Sequence, residues 1–200
     1  LMEIALTANG SGGLSDWRRA RQLLDVAAGH DPIAEQQRDI VRAMNLDADG
    51  KPLARPPHKQ LHGAPLVGII PDFLTQEECH HLARVSGPHL APSVIIDPQT
   101  GAHRPHMIRT SDGMVIGPAN EDLVVRAINA RIAALSGTPI ENGEPLAILR
   151  YSPGQEYKLH SDALPGTDGQ RSHTVIIYLN EGFSGGATDF PAIGLRAQPK

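Results

Sequence analysis

Tyr151-Ser152-Pro153-Gly154-Gln155-Glu156-Tyr157-Lys158-Leu159-His160-Ser161-Asp162 is the stretch on which the reading of this chain turns. It closes on the only His-x-Asp of the sequence. Side chains two residues apart on a strand share a face, so His160 and Asp162 are expected to project together, and a neutral imidazole beside a carboxylate can share a metal ion. In a chain with 10 histidines such a spacing arises by chance about as often as not, so its surroundings must decide.

Those surroundings read as β structure. Leu146 to Tyr151, Tyr157 to Asp162, His173 to Asn180 and Ala187 to Phe190 are short runs of period two separated by Gly and Pro, the signature of an antiparallel sandwich or small barrel. In the third run Thr174, Ile176 and Tyr178 share one face, while Val175, Ile177 and Leu179 share the other. Upstream, Asn120 is placed to cap a helix carrying Leu123, Val124, Ala127, Ile128, Ile132 and Leu135 at helical spacing, ended by Gly137 and Pro139. Leu66 to Ile70 is a strand candidate, and Thr75-Gln76-Glu77-Glu78 is a capping box opening a helix through Leu82. Val94-Ile95-Ile96 and Met107-Ile108 flank a hairpin tip around Asp97-Pro98-Gln99-Thr100-Gly101.

The order Tyr151, Gly154, Tyr157, His160-Ser161-Asp162 resembles the prolyl 4-hydroxylase pattern. The match continues through Arg171, Thr174, Tyr178-Leu179-Asn180, Gly185-Gly186, Thr188 and Phe190-Pro191, with Arg109-Thr110-Ser111 and Asn142-Gly143-Glu144 upstream. The resemblance, spanning about residues 65 to 200, implies an α+β fold built on a double-stranded β-helix of jelly-roll or cupin-like form. It implies an Fe(II)- and 2-oxoglutarate-dependent dioxygenase, with O2 as co-substrate and L-ascorbic acid as a helper, that hydroxylates prolyl residues in a peptide or protein and releases succinate and CO2. His160 and Asp162 would be two of three iron ligands, Tyr151, Tyr178 and Thr188 would line the 2-oxoglutarate pocket, and Arg171 would meet the peptide substrate at its entrance. The segment from Asp97 to His106 would correspond to the family's loop over the substrate. The family's distal His and its 2-oxoglutarate-binding Lys or Arg fall downstream of Lys200, so a C-terminally incomplete domain is expected, and Lys200 is not taken as the cofactor's lysine.

Residues 1–47 read as a helical segment, with two helices between residues 15 and 45: Ser15 and Asp16 precede Trp17, Leu23, Leu24 and Val26, and Pro32 suits the first turn before Ile33, Ile40, Val41 and Met44. Such a pair fits either a plain extension or the end of a helical repeat array that meets a protein partner. Residues 48–65 are rich in Pro, Gly and basic side chains and read as a linker, leaving 66–200 as the oxygenase domain.

A formal charge of −4 argues against a nucleic-acid binder, which spreads a basic surface over phosphates. No apolar run reaches the roughly 18 residues of a membrane span. Cys79 is the only cysteine, which excludes an intrachain disulfide and a multi-thiolate zinc site and fits a reducing, cytoplasmic setting. His80, His81, His103, His106 and His173 are expected to be surface or internally satisfied side chains rather than ligands. Two alternatives stay open: the same fold acting on a free amino acid or small molecule, and a degenerate barrel that binds partners without turnover.

Overall fold

A computed structural model describes residues 1–96, 103–105, 108–163 and 169–199. The expected hairpin tip at 97–101, His106 and Lys200 lie outside the described residues. Three helices open the chain: α1 (Met2–Asn9), α2 (Trp17–Ala27) and α3 (Pro32–Ala43). Asp16 caps α2 by accepting from the Arg19 amide, and Asp31 caps α3 through the Ile33 and Ala34 amides with Pro32 in its first turn. These caps satisfy amides that a helix start leaves without partners. The sequence reading missed α1, a helix of 8 residues closed by Gly10 in the left-handed conformation.

Strands β1 (Lys59–Gly63) and β2 (Leu66–Ile69) form a two-stranded antiparallel ribbon. The first of them lies inside the stretch read as linker, where an isolated ribbon tolerates residues that a central strand would not. The expected capping box is present: Thr75 accepts from the Glu78 amide and Glu78 returns to the Thr75 amide, opening α4 (Gln76–Ser86). Helix α5 (Leu123–Ser136) is capped by Asp122, not Asn120, and ends at left-handed Gly137.

Helices α1, α3 and α4 all pack on α5. Leu123, Val124, Val125, Ala127 and Ile128 of α5 have no exposure and join Ile4, Ala8, Trp17, Leu24, Ile40, Val41 and Leu82 in one apolar cluster. Burial of each large side chain in that cluster stabilises by about 1.5–3 kcal/mol. The N-terminal helices therefore share a core with the segment beyond the 48–65 boundary. No helix among the described residues is long and apolar enough to cross a membrane.

The remaining strands are short and antiparallel. Strands β3 (Ala91–Pro92), β6 (Asp112–Val115) and β7 (Ala147–Arg150) make a three-stranded sheet in that order, β4 (Val94–Ile96) pairs with β5 (His103–Pro105), and β8 (Thr188–Phe190) pairs with β9 (Leu195–Ala197). The partner of β4 is thus 103–105; Met107 of the expected Met107-Ile108 flank lies outside the described residues. Two further expected strands differ. Tyr157 to Asp162 contributes a single bridge, Tyr157 to Arg109, and His173 to Asn180 runs without a ladder. Alternation of side chains sets which face a residue occupies, whereas a strand exists only when a neighbour takes its backbone groups. The described chain is a mixed helix and strand fold.

Candidate active site

The site is hung from the β3–β6–β7 sheet. Just before β6, the Ser111 carbonyl accepts from the Ser93 amide at 2.9 Å, tying the chain entering β6 to that leaving β3. Residues 108–110 then run antiparallel to 156–158. The Thr110 amide donates to the Glu156 carbonyl at 3.0 Å and the Lys158 amide to the Ile108 carbonyl at 2.8 Å. The Thr110 hydroxyl also accepts from the Glu156 amide at 2.9 Å. Tyr157 and Lys158 are thereby fixed before the chain reaches His160.

His160 and Asp162 do face each other, with Nε2 and Oδ1 3.4 Å apart and both side chains partly exposed. The reason is local and is not a continuous strand. Nδ1 of His160 lies 2.7 Å from the Lys158 carbonyl, and a carbonyl only accepts, so Nδ1 carries the proton. In the neutral ring the Nε2 lone pair then points at Asp162 Oδ1, a separation long for a hydrogen bond. The other carboxylate oxygen, Oδ2, accepts from the Thr174 hydroxyl at 2.7 Å. Two outer contacts leave one nitrogen and one oxygen lone pair converging on shared space, which is how metal-binding imidazoles and carboxylates are oriented. One imidazole and one carboxylate fit two positions of a three-ligand iron site. Among the described residues no group of three or more His, Cys, Asp and Glu is placed to hold a metal ion.

Stacking holds the imidazole plane. The Tyr157 ring lies 3.6 Å from that of His160, centroid to centroid, with 11° between the planes. The Arg109 guanidinium lies over Tyr157 at 5.4 Å, and its Nε donates to the Ser93 hydroxyl at 3.2 Å.

The other expected site residues fall in three places. Tyr151 sits near Ser111; burial raises its phenol above the usual range, opposed in smaller measure by the Ser111 hydroxyl and by Arg109. Tyr178 and Thr188 meet each other, hydroxyl to hydroxyl at 3.0 Å, and Tyr178 donates to the Gly186 carbonyl at 2.8 Å. Arg171 is engaged by Glu144 through two hydrogen bonds of 2.5 and 2.9 Å, and its Nη1 reaches the Asp162 carbonyl at 3.4 Å. That bidentate contact holds the Glu144 carboxyl below its ordinary range. The structure thus gathers His160, Asp162, Thr174 and Arg171, and places Tyr178 with Thr188.

Roles for Thr174, Tyr157, Arg109, Ser93 and Glu144 were not assigned from the sequence, although all but Ser93 lie in the quoted motifs. Apart from Tyr157, three residues from the His160 ring it stacks on, their spacing carries no signal, because each contact crosses between segments. Of the remaining histidines, His81 is buried and satisfied: its Nε2 lies 2.8 Å from Asp122 Oδ2 and its Nδ1 3.0 Å from Arg84 Nη2. His80 lies beside a cleft of about 550 Å³ between α3 and the start of α4.

No family model matches the chain. Curated proteins do. Prolyl 4-hydroxylase 1 of Arabidopsis thaliana is 35% identical over 164 residues, covering 78% of this chain and 58% of that protein. Prolyl 4-hydroxylase 5 of the same plant is 37% identical over 133 residues, 64% of this chain and 45% of the relative. Probable prolyl 4-hydroxylase 10, also from Arabidopsis thaliana, is 36% identical over 133 residues, 64% of this chain and 46% of its own length. The chain therefore spans about half the length of the curated relatives it matches.

Proposed function

We propose that the chain carries a prolyl 4-hydroxylase-type domain, as its likeness to prolyl 4-hydroxylases supports, and that the whole protein hydroxylates prolyl residues of a peptide or protein, consuming O2 and 2-oxoglutarate at an Fe(II) site and releasing succinate and CO2. The observation that carries this reading is the convergence of His160 Nε2 and Asp162 Oδ1 at 3.4 Å, with the opposite edge of each side chain already occupied. When bound, Fe(II) supplies open coordination positions at which 2-oxoglutarate and dioxygen can react.

The residues of the chain bind and orient. His160 and Asp162 hold the metal. Thr174 ties Asp162 Oδ2, so the carboxylate presents Oδ1 alone. Tyr151, Tyr178 and Thr188 bring hydroxyls to the 2-oxoglutarate carboxylate, a role to which their half-buried positions are suited. Arg171 receives a substrate carbonyl at the entrance; because Glu144 already grips its fork, the peptide meets an arginine held in one orientation rather than one that must be ordered on binding. The proposed framework is a double-stranded β-helix, with ascorbate as the helper expected of such an oxygenase. A reducing cytoplasmic setting belongs to the same proposal and rests on the single thiol, Cys79.

The deciding experiment follows succinate and CO2 release from 2-oxoglutarate by the full-length protein with Fe(II), with and without a proline-rich peptide, and locates the added oxygen by mass spectrometry. Peptide-stimulated turnover lost in His160→Ala and Asp162→Ala is the expected result. Turnover that survives both substitutions overturns the assignment of the ligands. Hydroxylation of a free amino acid in place of the peptide overturns the substrate.

A further inference from the structure

We infer that Ser93 is a positioning residue for the His160 imidazole, acting through Arg109 and Tyr157. The inference builds on the reading of His160 as a metal ligand. Its ground is a continuous set of contacts between the β3–β6–β7 sheet and the ring. The Ser93 amide is fixed to the Ser111 carbonyl at 2.9 Å, and the Ser93 hydroxyl lies 3.3 Å from that of Ser111. The same hydroxyl accepts from Arg109 Nε at 3.2 Å. Arg109 and Tyr157 are joined as an antiparallel bridge, and the guanidinium lies over the Tyr157 ring at 5.4 Å. Tyr157 in turn stacks on His160 at 3.6 Å and 11°.

A ring that stands beside a metal has two freedoms: which nitrogen carries the proton, and how the plane rotates about the Cβ–Cγ bond. The Lys158 carbonyl at 2.7 Å settles the first only while the ring keeps its plane. The second is restricted by Tyr157, since rotation of the imidazole would break a parallel contact over the whole ring face. Tyr157 is itself partly exposed, so its own plane needs support, and the cation over it supplies that while favouring the electron-rich face. Without the Ser93 hydroxyl, Arg109 loses the acceptor 3.2 Å from its Nε, and the stack loses one side-chain tie to the sheet while the backbone bonds of 108–110 to 156–158 remain. The effect on His160 is one of orientation, transmitted through packed groups with no contact between Ser93 and the metal.

The test uses the full chain without metal and reads the ring nitrogens and carbon-bound protons of His160 by NMR in wild type, Ser93→Ala, Ser93→Thr and Arg109→Met. Wild type is expected to show a single ring orientation, with the His160 carbon-bound protons close to the Tyr157 ring; Ser93→Ala and Arg109→Met are expected to show the ring averaging over several orientations, and Ser93→Thr to restore one. If Ser93→Ala fails to fold, as judged by the amide signals of α5, Arg109→Met decides, because it leaves both serines in place. Wild-type ring signals in Ser93→Ala or in Arg109→Met overturn the inference, as does a threonine variant as heterogeneous as the alanine one. Titration with Mn(II) addresses the separate metal reading: affinity is expected to fall about tenfold in Ser93→Ala. Equal Mn(II) affinity in wild type and His160→Ala would overturn the ligand assignment and leave the ring-orientation result standing.

Discussion

The Thr174 hydroxyl donates to Oδ2 of Asp162 at 2.7 Å, while Oδ1 of the same carboxylate faces His160 Nε2 at 3.4 Å. One oxygen is held by the protein so that the other has a defined direction. Thr174→Val keeps the shape and removes the donor; it is expected to weaken Mn(II) binding about tenfold, with Thr174→Ser close to wild type. Calorimetric titration of the three proteins checks this. Equal affinities would mean that the carboxylate is oriented by something other than Thr174.

Glu144 and Arg171 form a bidentate pair whose side chains are 59% and 38% exposed. The hydrogen bond from Arg171 is the main cause of the depressed Glu144 carboxyl, with burial working against it. A carboxyl that ionises more readily in the folded chain than in the unfolded one adds stability above the unfolded value, and the gain is lost as pH falls through the folded value. Solvent screening keeps that gain below about 1 kcal/mol. Urea denaturation of wild type and Glu144→Gln should therefore differ by a small constant amount above about pH 5, and the difference should shrink as the solution is acidified below the usual carboxylate range. A gap that widens in acid would contradict the pairing.

Local signals made much of this fold legible. Thr75 with Glu78, Asp31 with Pro32, and Gly137 each mark a helix end by chemistry within a few residues. Choice among equally good local options was not legible. Asn120 and Asp122 both suit a helix start; Asp122 prevails with Oδ1 serving two α5 amides while Oδ2 meets His81, a partner 41 residues away. The run from His173 to Asn180 shows the converse, since its alternation is clear yet no described strand pairs with it. For the site, the His160 and Asp162 spacing pointed to two side chains that face each other across 3.4 Å. Of the features that orient them, the Thr174 hydrogen bond and the Arg109 contact with Tyr157 depend on which segments meet, and no single stretch records that.

Asp122 joins two buried duties, so its loss should cost more than a helix cap alone. Oδ1 accepts from the Val124 and Val125 amides, each at 3.0 Å, and Oδ2 lies 2.8 Å from the buried His81. Asp122→Ala removes the cap and leaves the imidazole facing no acceptor, a combined loss of about 2–4 kcal/mol. Asp122→Asn keeps an acceptor for the helix amides and should lose less. Chemical denaturation with constant m-value measures both; equal losses would show that the helix cap has no part in the cost and that the His81 contact carries it.

Gly50 offers the sharpest test of how the N-terminal helices are closed. Its φ is +80°, and a Cβ there would lie 2.4 to 2.8 Å from three carbons of the Trp17 indole. The turn cannot easily shift away, because Asp47 accepts from both the Asp49 and Lys51 amides at 2.8 and 2.9 Å. Gly137 supplies the control: its φ is +73°, and nothing lies within 4 Å of where its Cβ would stand. Alanine at Gly137 should cost only the left-handed backbone penalty, about 1–2 kcal/mol. Alanine at Gly50 should cost that plus the displacement of a buried indole, about 2–5 kcal/mol in all. The two variants are compared by urea denaturation, with Trp17 fluorescence, from the only tryptophan in the chain, reporting on the displaced ring. Equal costs and an unchanged Trp17 emission in Gly50→Ala would show that the turn carries the side chain without pressing on the indole, and that the helices are closed by the α5 packing alone.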